Sequence, residues 1–249
     1  MSDTNLVIVA GLGEVGGPLF RILGRSYSCL SVDIEPVESL GPCSVLHICY
    51  PFQIADFVGT TAAYIRKYEP GLIIINSTVS PGTTAKISAV AGATVAYSPV
   101  RGKHAKMEQD MLFYRKFVGA DNPAAVAQAR THFEGAGFKT AAFPNATAGE
   151  VAKLIETTWL GILVGWAQEV ERIAGRYDAT YEDLNAFIAE VAFLPHDVFP
   201  GLIEGHCVMP NIALLRSVMR SDFLDAVVNS NDFKRSGATR STLTGKTND

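Results

Sequence analysis

The segment Gly11-Leu12-Gly13-Glu14-Val15-Gly16 follows a short apolar run, Leu6 to Ala10, and opens a helix-like stretch. Between a strand and a helix each glycine of such a spacing has a task. The first permits a tight turn, the second lets the backbone approach a pyrophosphate, and the third lets the helix pack on the strand. The helix N-terminus then offers amides and partial positive charge to phosphates. Gly11, Gly13, Glu14, Val15 and Gly16 are therefore candidate dinucleotide contacts. Asp33 lies 17 residues past the last glycine, at the end of the next apolar run. It is placed to accept hydrogen bonds from the adenosine ribose hydroxyls. An acid there repels a 2′-phosphate and no arginine follows it, so NAD is the expected cofactor rather than NADP. The competing readings are S-adenosylmethionine, whose ribose is also held by an acid after the second strand, and a glycine-rich turn that binds no nucleotide.

The rest of the first 145 residues fits that setting. Strand candidates are Leu6–Ala10, Cys29–Asp33, Val45–Cys49, Leu72–Asn76, Thr94–Tyr97, Lys116–Gly119 and Phe138–Phe143. Several are continuous apolar runs, as strands buried on both faces should be. Amphipathic stretches separate them; Ile54, Phe57, Val58, Thr61 and Ile65 share one helical face. The alternation predicts an α/β fold with a doubly wound, parallel Rossmann sheet. Ligands bind such sheets at the carboxyl ends of the strands. Tyr50 and Pro51, past the third strand, and Ser77 and Thr78, past the fourth, join the candidate cofactor contacts.

After Pro144 the pattern changes. Thr147-Ala148-Gly149-Glu150 reads as a capping box. A long helix to about Gly175 is expected behind it, with Val151, Ile155, Trp159, Ile162, Trp166, Val170 and Ile173 at steps of three and four. A helix over Tyr181–Ala192, a Pro/Gly-rich stretch over Leu194–Pro210 and a last helix around Ile212–Val228 complete the reading. The expected division is a Rossmann domain over 1–145, a helical substrate-side and dimerisation domain over 146–235, and a flexible tail over 236–249. The long apolar helix with its two tryptophans is the expected homodimer contact.

Composition narrows the function. A net charge of −4 argues against a nucleic-acid binder. No apolar stretch reaches the ~20 residues of a membrane span, and no signal peptide is read at the start. Cys29, Cys43, Cys49 and Cys207 lack disulfide or metal spacing, which suits a reducing cytoplasm. His196, Asp197, Glu204, His206 and Cys207 fit no standard zinc pattern, so no metal is expected. Arg101, Lys103, His104 and Lys106 form a basic loop on the ligand-binding edge, suited to an anionic group of a small-molecule substrate.

Four further segments carry a resemblance. They are Ser77-Thr78-Val79-Ser80-Pro81-Gly82-Thr83-Thr84, Ser98-Pro99-Val100-Arg101, Ala152-Lys153-Leu154-Ile155-Glu156-Thr157-Thr158 and Gly205-His206-Cys207. In this order they resemble the S-T-V-x-P-G-T-T, S-P-E-R, A-K-L-x-E-N-T and G-G-H-C segments of the UDP-glucose/GDP-mannose dehydrogenases. That resemblance covers residues 5 to about 215. It implies oxidation of a sugar alcohol to a carboxylate with two NAD, through a thiohemiacetal and a thioester. By position it makes Cys207 the nucleophile, with Lys153, Thr78, Thr157 and Asn211 as further catalytic candidates and His206 beside the substrate. A thiolate attacks aldehydes readily, and an ammonium favours both a thiolate and a developing alkoxide.

Three positions depart from the family. Val100 stands for the S-P-E-R glutamate, Thr157 for the helix asparagine and Asn211 for an aspartate four residues after the cysteine. The family's C-terminal nucleotide-binding domain also has no counterpart in these residues. The expectation is a truncated relative that oxidises a primary alcohol or aldehyde of a sugar-like or small anionic substrate, in one two-electron step. A homologue that binds nucleotide without turnover is the remaining alternative.

Overall fold

The computed structural model describes residues 6–33, 43–195 and 197–237, with the side chain of His104 excepted. The chain divides into two compact units, Met1–Lys153 and Leu154–Asp249.

The first unit contains β1 (Leu6–Ala10), α1 (Gly16–Leu23), β2 (Ser28–Val32), β3 (Val45–Ile48), α2 (Phe57–Tyr68), β4 (Leu72–Ile75), α3 (Thr83–Ala91), β5 (Val95–Tyr97), α4 (Met107–Phe113), β6 (Lys116–Val118), α5 (Pro123–Gly135) and β7 (Thr140–Ala142). All seven expected strands are present, with ends within two residues of expectation. The main sheet runs β2-β1-β3-β4-β5 and is parallel throughout. A parallel β6-β7 pair adjoins it through an antiparallel bridge between Tyr97 and Gly119. Val7 and Val9 enter one apolar core, with Leu19 of α1, Met111 of α4 and Phe133 of α5. Ile8 and Ala10 enter the other, with Phe57 of α2 and Ile87 of α3. Burial on both faces explains why these strands read as unbroken apolar runs. This is the expected doubly wound α/β fold.

Helix α6 (Ala146–Ala174) starts in the first unit and continues into the second, which adds α7 (Tyr181–Ala189), α8 (Val208–Val218) and α9 (Asp222–Arg235). The start of α6 corrects the capping-box expectation. Asn145 Oδ1 accepts from the Ala148 amide at 2.8 Å. Glu150 turns to α3 instead, where it accepts from the Gly82 amide at 2.6 Å and from the Thr84 amide and hydroxyl at 2.8 and 2.6 Å. Three donors at another helix's first turn hold a carboxylate better than one amide at its own.

The expected final helix is two helices. It breaks at Met219, whose extended backbone ends α8, and Ser221 caps α9. Pro210 therefore sits in the first turn of α8, where its missing amide costs nothing, and not in the preceding loop. The core of the second unit gathers Leu154, Ile203, Val208, Ile212, Leu215, Leu224 and Val227. Gly161 permits this packing, since a Cβ there would lie 2.6 Å from Val208 Cγ1. The buried face of α6 passes through Leu154, Thr158, Gly161, Gly165 and Gln168. The stripe that the sequence makes prominent is partly turned outward, with Ile155, Trp159, Trp166 and Ile173 exposed. Of the expected tail, residues from 238 onward lie outside the described ones.

Candidate functional site

The strand order reverses beside β1: the chain passes from β1 to β2 on one side and then to β3 on the other. That reversal opens a crevice at the strand ends, where dinucleotides bind in such sheets. The glycine turn lines it. Gly11 has φ +90° and a Cβ there would lie 2.7 Å from the Tyr50 amide nitrogen. At Gly16 a Cβ would fall 1.7 Å from the Gly11 carbonyl oxygen and 2.9 Å from Cys49 Cβ. Gly13 is exposed and a Cβ would meet nothing within 4 Å. Two glycines thus close the turn against the protein while the middle one faces open space. Glu14 is exposed and Val15 half-buried. Helix α1 begins with no side-chain hydrogen bond from Val15 at its cap, so the first amides remain suited to a phosphate. Asp33 is exposed at the end of β2. These residues fit a dinucleotide.

The neighbouring strand ends are tied together. The Ser77 hydroxyl donates to the Tyr50 carbonyl at 2.6 Å, and the Tyr50 hydroxyl pairs with Thr61 at 2.6 Å. Pro51 is exposed and Thr78 half-buried on the same edge. Beneath them lies a buried polar chain absent from the sequence reading. Lys116 Nζ donates to Asn76 Oδ1 at 3.2 Å and to the Ser98 and Pro99 carbonyls at 2.8 and 3.0 Å. Asn76 Nδ2 meets His47 Nδ1 at 3.1 Å, and His47 Nε2 meets His132 Nε2 at 2.9 Å. Burial lowers the Lys116 ammonium to about 7; Cys49 opposes that shift, and Lys153 and Arg101 add to it. Burial also drops His132 to about 4, and it takes His47 well below the usual imidazole range, helped by His132 and Lys116. Polar residues inside apolar strands were the available signal. Their partners, 17 to 85 residues away, were not legible.

The departures from the family pattern have structural reasons. Val100 is buried in the core with Met107 and Val118, so the segment after Ser98 points an apolar side chain inward where the family carries its acid. Arg101 donates to the Arg115 carbonyl at 2.6 Å and stacks by the Tyr114 and Phe117 rings. Its charge is thereby fixed in place. Lys103 is exposed, with its amide donating to Asp110; His104 opens a short 3-10 turn. Lys153 is half-buried on α6 and its charge acts on Lys116.

In the second unit, two further candidates meet. Asn211, buried in α8, donates to the Thr157 hydroxyl at 2.7 Å, and that hydroxyl donates to the Leu154 carbonyl at 3.1 Å. The two substitutions are complementary, an amide to a hydroxyl. Cys207 is exposed directly before α8, and His206 and Glu204 beside it are exposed as well. The irregular chain leading to Cys207 is held by Asn231, which accepts from the Ile203 amide at 2.8 Å and donates to its carbonyl at 3.1 Å. Gln168 Nε2 holds the Gly201 carbonyl at 2.8 Å. Among the described residues no group of three or more His, Cys, Asp or Glu is arranged for a metal, and no helix is long and apolar enough to cross a membrane. His196 lies outside the described residues.

No family model matches the chain. Over 168 residues it is 27% identical to the UDP-N-acetyl-D-mannosamine dehydrogenase of Pyrococcus horikoshii; the match spans 61% of this chain and 39% of the relative. The solved structure of the P. horikoshii UDP-D-ManNAc dehydrogenase superposes with a TM-score of 0.84 at 18% identity, over 94% of this chain and 69% of that one. A UDP-glucose dehydrogenase from Pyrobaculum islandicum gives 0.76 at 16%, over 95% and 70%. The 3-hydroxyisobutyrate dehydrogenase of Mycobacterium tuberculosis gives 0.71 at 16%, over 95% and 94%. Sequence relative and folds agree with the four motifs, and the chain resembles the UDP-sugar dehydrogenase family, matching the curated relative over about two fifths of its length.

Proposed function

We propose that the chain is an NAD-dependent oxidoreductase acting on a primary alcohol or aldehyde of a sugar-like or small anionic substrate. The observation that carries this reading is the crevice at the sheet reversal, where Gly11 and Gly16 are closed against backbone and Gly13 is open. Gly13, the amides leading into α1 and Asp33 would hold the dinucleotide, with Tyr50, Pro51 and Ser77 along its edge. NAD supplies a hydride acceptor when bound. Thr78 orients the reacting alcohol from the end of β4. The Lys153 ammonium stabilises negative charge developing on the substrate oxygen. Cys207, exposed before a helix, is the nucleophile towards an aldehyde.

A single two-electron step that stops at the aldehyde is the better-supported chemistry, because oxidation through Cys207 ends in a thioester that water must cleave. Full oxidation needs a base for the hydrolytic water, whereas Val100 is in the core and the Asn211 amide is engaged by Thr157. Lys153 and Arg101 both act electrostatically on Lys116, near the ends of β4 and β5. That positive locus favours an anionic substrate group, and the fold shared with a 3-hydroxyisobutyrate dehydrogenase supports a small one. Lys103, His104 and His206 are further substrate contacts. The exposed Trp159 and Trp166 support a homodimer through α6. Cys43 and Cys49 buried as thiols go with a cytoplasmic setting.

Calorimetry with NADH, NADPH and S-adenosylmethionine, beside mass spectrometry of the ligand that co-purifies, tests the cofactor. NADH should bind at least about ten-fold tighter than NADPH, the discrimination expected of Asp33. Tighter binding of S-adenosylmethionine would replace the oxidoreductase with a transferase. Timed iodoacetamide labelling tests the nucleophile. Cys207 should react first, because burial raises Cys29 and pushes Cys43 and Cys49 up to about 11 and about 12. NADH binding without faster labelling of Cys207 would leave a nucleotide-binding protein with no thiol chemistry.

A further inference from the structure

Lys116 begins β6, yet its ammonium ends beneath two other strands. Its three hydrogen bonds go to the Asn76 side chain, directly before Ser77 and Thr78, and to the carbonyls of Ser98 and Pro99, directly before Val100 and Arg101. An ammonium has three N–H donors and all three are used. The residue is 4% exposed. None of the three acceptors is a carboxylate. A lysine buried this way costs free energy, and neutral acceptors offset that cost less well than an ion pair would.

We propose that Lys116 is a positioning residue whose three hydrogen bonds hold the loops after β4 and β5 in the arrangement that receives cofactor and substrate. The functional meaning rests on the dinucleotide-binding reading above. The hydrogen-bond chain behind Lys116 has one polarity. Lysine only donates, so Asn76 turns its oxygen to Lys116 and its amide nitrogen to His47. His47 Nδ1 must then accept, which leaves the proton on Nε2 and makes His132 Nε2 the acceptor. Lys116 thus orders a neutral histidine pair as well as the two loops.

The arrangement depends on the proton on Nζ. A neutral amine has two N–H groups and a lone pair, so one of the three acceptors loses its donor and faces a lone pair instead. The groups bearing on that proton are Cys49 at the end of β3, His47 within β3, Lys153 on α6 and Arg101 after β5. His132 of α5 stands at the far end of the chain, and the Phe133 ring lies 5.1 Å from Nζ. Burial, the largest influence, moves the transition to about 7. Loop order is therefore present below that pH and is lost as pH rises through it.

The test uses the protein without ligand first. Hydrogen–deuterium exchange is followed in peptides covering 76–82 and 96–102 at about pH 6 and about pH 8.5, corrected for the intrinsic rate, with 13C-lysine NMR reporting the Lys116 titration. The wild type should exchange about fivefold faster in both loops at the higher pH, the effect of losing one charge-assisted hydrogen bond. Lys116→Met should exchange fast at both values. Asn76→Asp places a carboxylate at the acceptor, so protection should persist about one pH unit higher or more. A general weakening of the fold would not move the midpoint upward. NADH affinity, read by fluorescence, should weaken about threefold or more over the same range in the wild type and not in Asn76→Asp. Equal corrected exchange at both pH values in the wild type overturns the proposal, as does an unshifted midpoint in Asn76→Asp. If Lys116→Met does not fold, the wild type and Asn76→Asp decide. If NADH binds at no pH, the dinucleotide reading falls while loop exchange still decides the role of Lys116.

Discussion

The two units handle the boundary between polar and apolar chemistry in opposite ways. The Rossmann unit hides polar groups: Lys116, Asn76, His47, His132 and Glu150 are all buried and hydrogen-bonded inside it. The helical unit shows apolar ones. Among the described residues, four large hydrophobic side chains are exposed in the first unit, against fifteen in the smaller second unit, Trp159, Trp166, Phe187 and Phe193 among them. A buried polar network specifies one arrangement because every member needs its partner. Exposed apolar surface on this scale is what the proposed homodimer would cover.

Four experiments press on that contrast. The largest effect is expected from Gly16→Ala, which drives a Cβ into the Gly11 carbonyl. A backbone clash inside a closed turn should cost on the order of 4 kcal/mol in denaturant unfolding and remove NADH binding. Retained binding would mean that the turn is looser than its packing.

Acid comes next. Burial holds His132 at about 4, against an ordinary 6.5. Between those values the unfolded chain binds a proton that the folded one refuses, so stability should fall as pH falls through that window. The loss is roughly 3 kcal/mol by about pH 4, and His132→Phe should abolish most of it. A flat stability profile would break the picture of a sealed polar interior.

The outward face is tested by Trp166→Glu, read by sedimentation. A charge in the centre of an aromatic contact should weaken self-association about a hundredfold while leaving NADH affinity alone. A wild-type monomer at micromolar concentration would remove the dimer reading.

The smallest effect belongs to a polar pair within the helical unit. Thr157→Val strands the buried Asn211 amide and should cost about 1–2 kcal/mol. Thr157→Ser, which keeps the hydroxyl, should recover most of it.

Legibility in the sequence followed the same division. The seven strands could be read because burial on both faces leaves unbroken apolar runs such as Leu72–Ile75, and the glycine turn because steric demand names its residues. Long-range polar pairing was opaque. Thr147 and Glu150 have capping-box spacing, and nothing local reveals that Gly82 and Thr84 compete for the glutamate. Lys116 read as the first residue of a strand, since its acceptors lie 17 to 40 residues away. The break before α9 was readable: Ser221-Asp222 is a capping signal, outweighed by the apolar periodicity across it. Val100 is visible in the sequence as a departure, and its place in the core supplies the physical reason, since an acid there would be buried in apolar surroundings.

The Glu150 clamp bears on selectivity. Three helices open at the same edge of the sheet, after β1, β3 and β4. A mobile anion would find each of them attractive. Asp56 stoppers the second, accepting a hydrogen bond from the Gly59 amide, and Glu150 stoppers the third from 66 residues away. Tethered carboxylates compete at an effective concentration no free phosphate ester matches. Of these three starts, the one beside Gly13 has no side-chain cap among the described residues, so the two tethered carboxylates would steer an anionic guest towards it by locking the other doors.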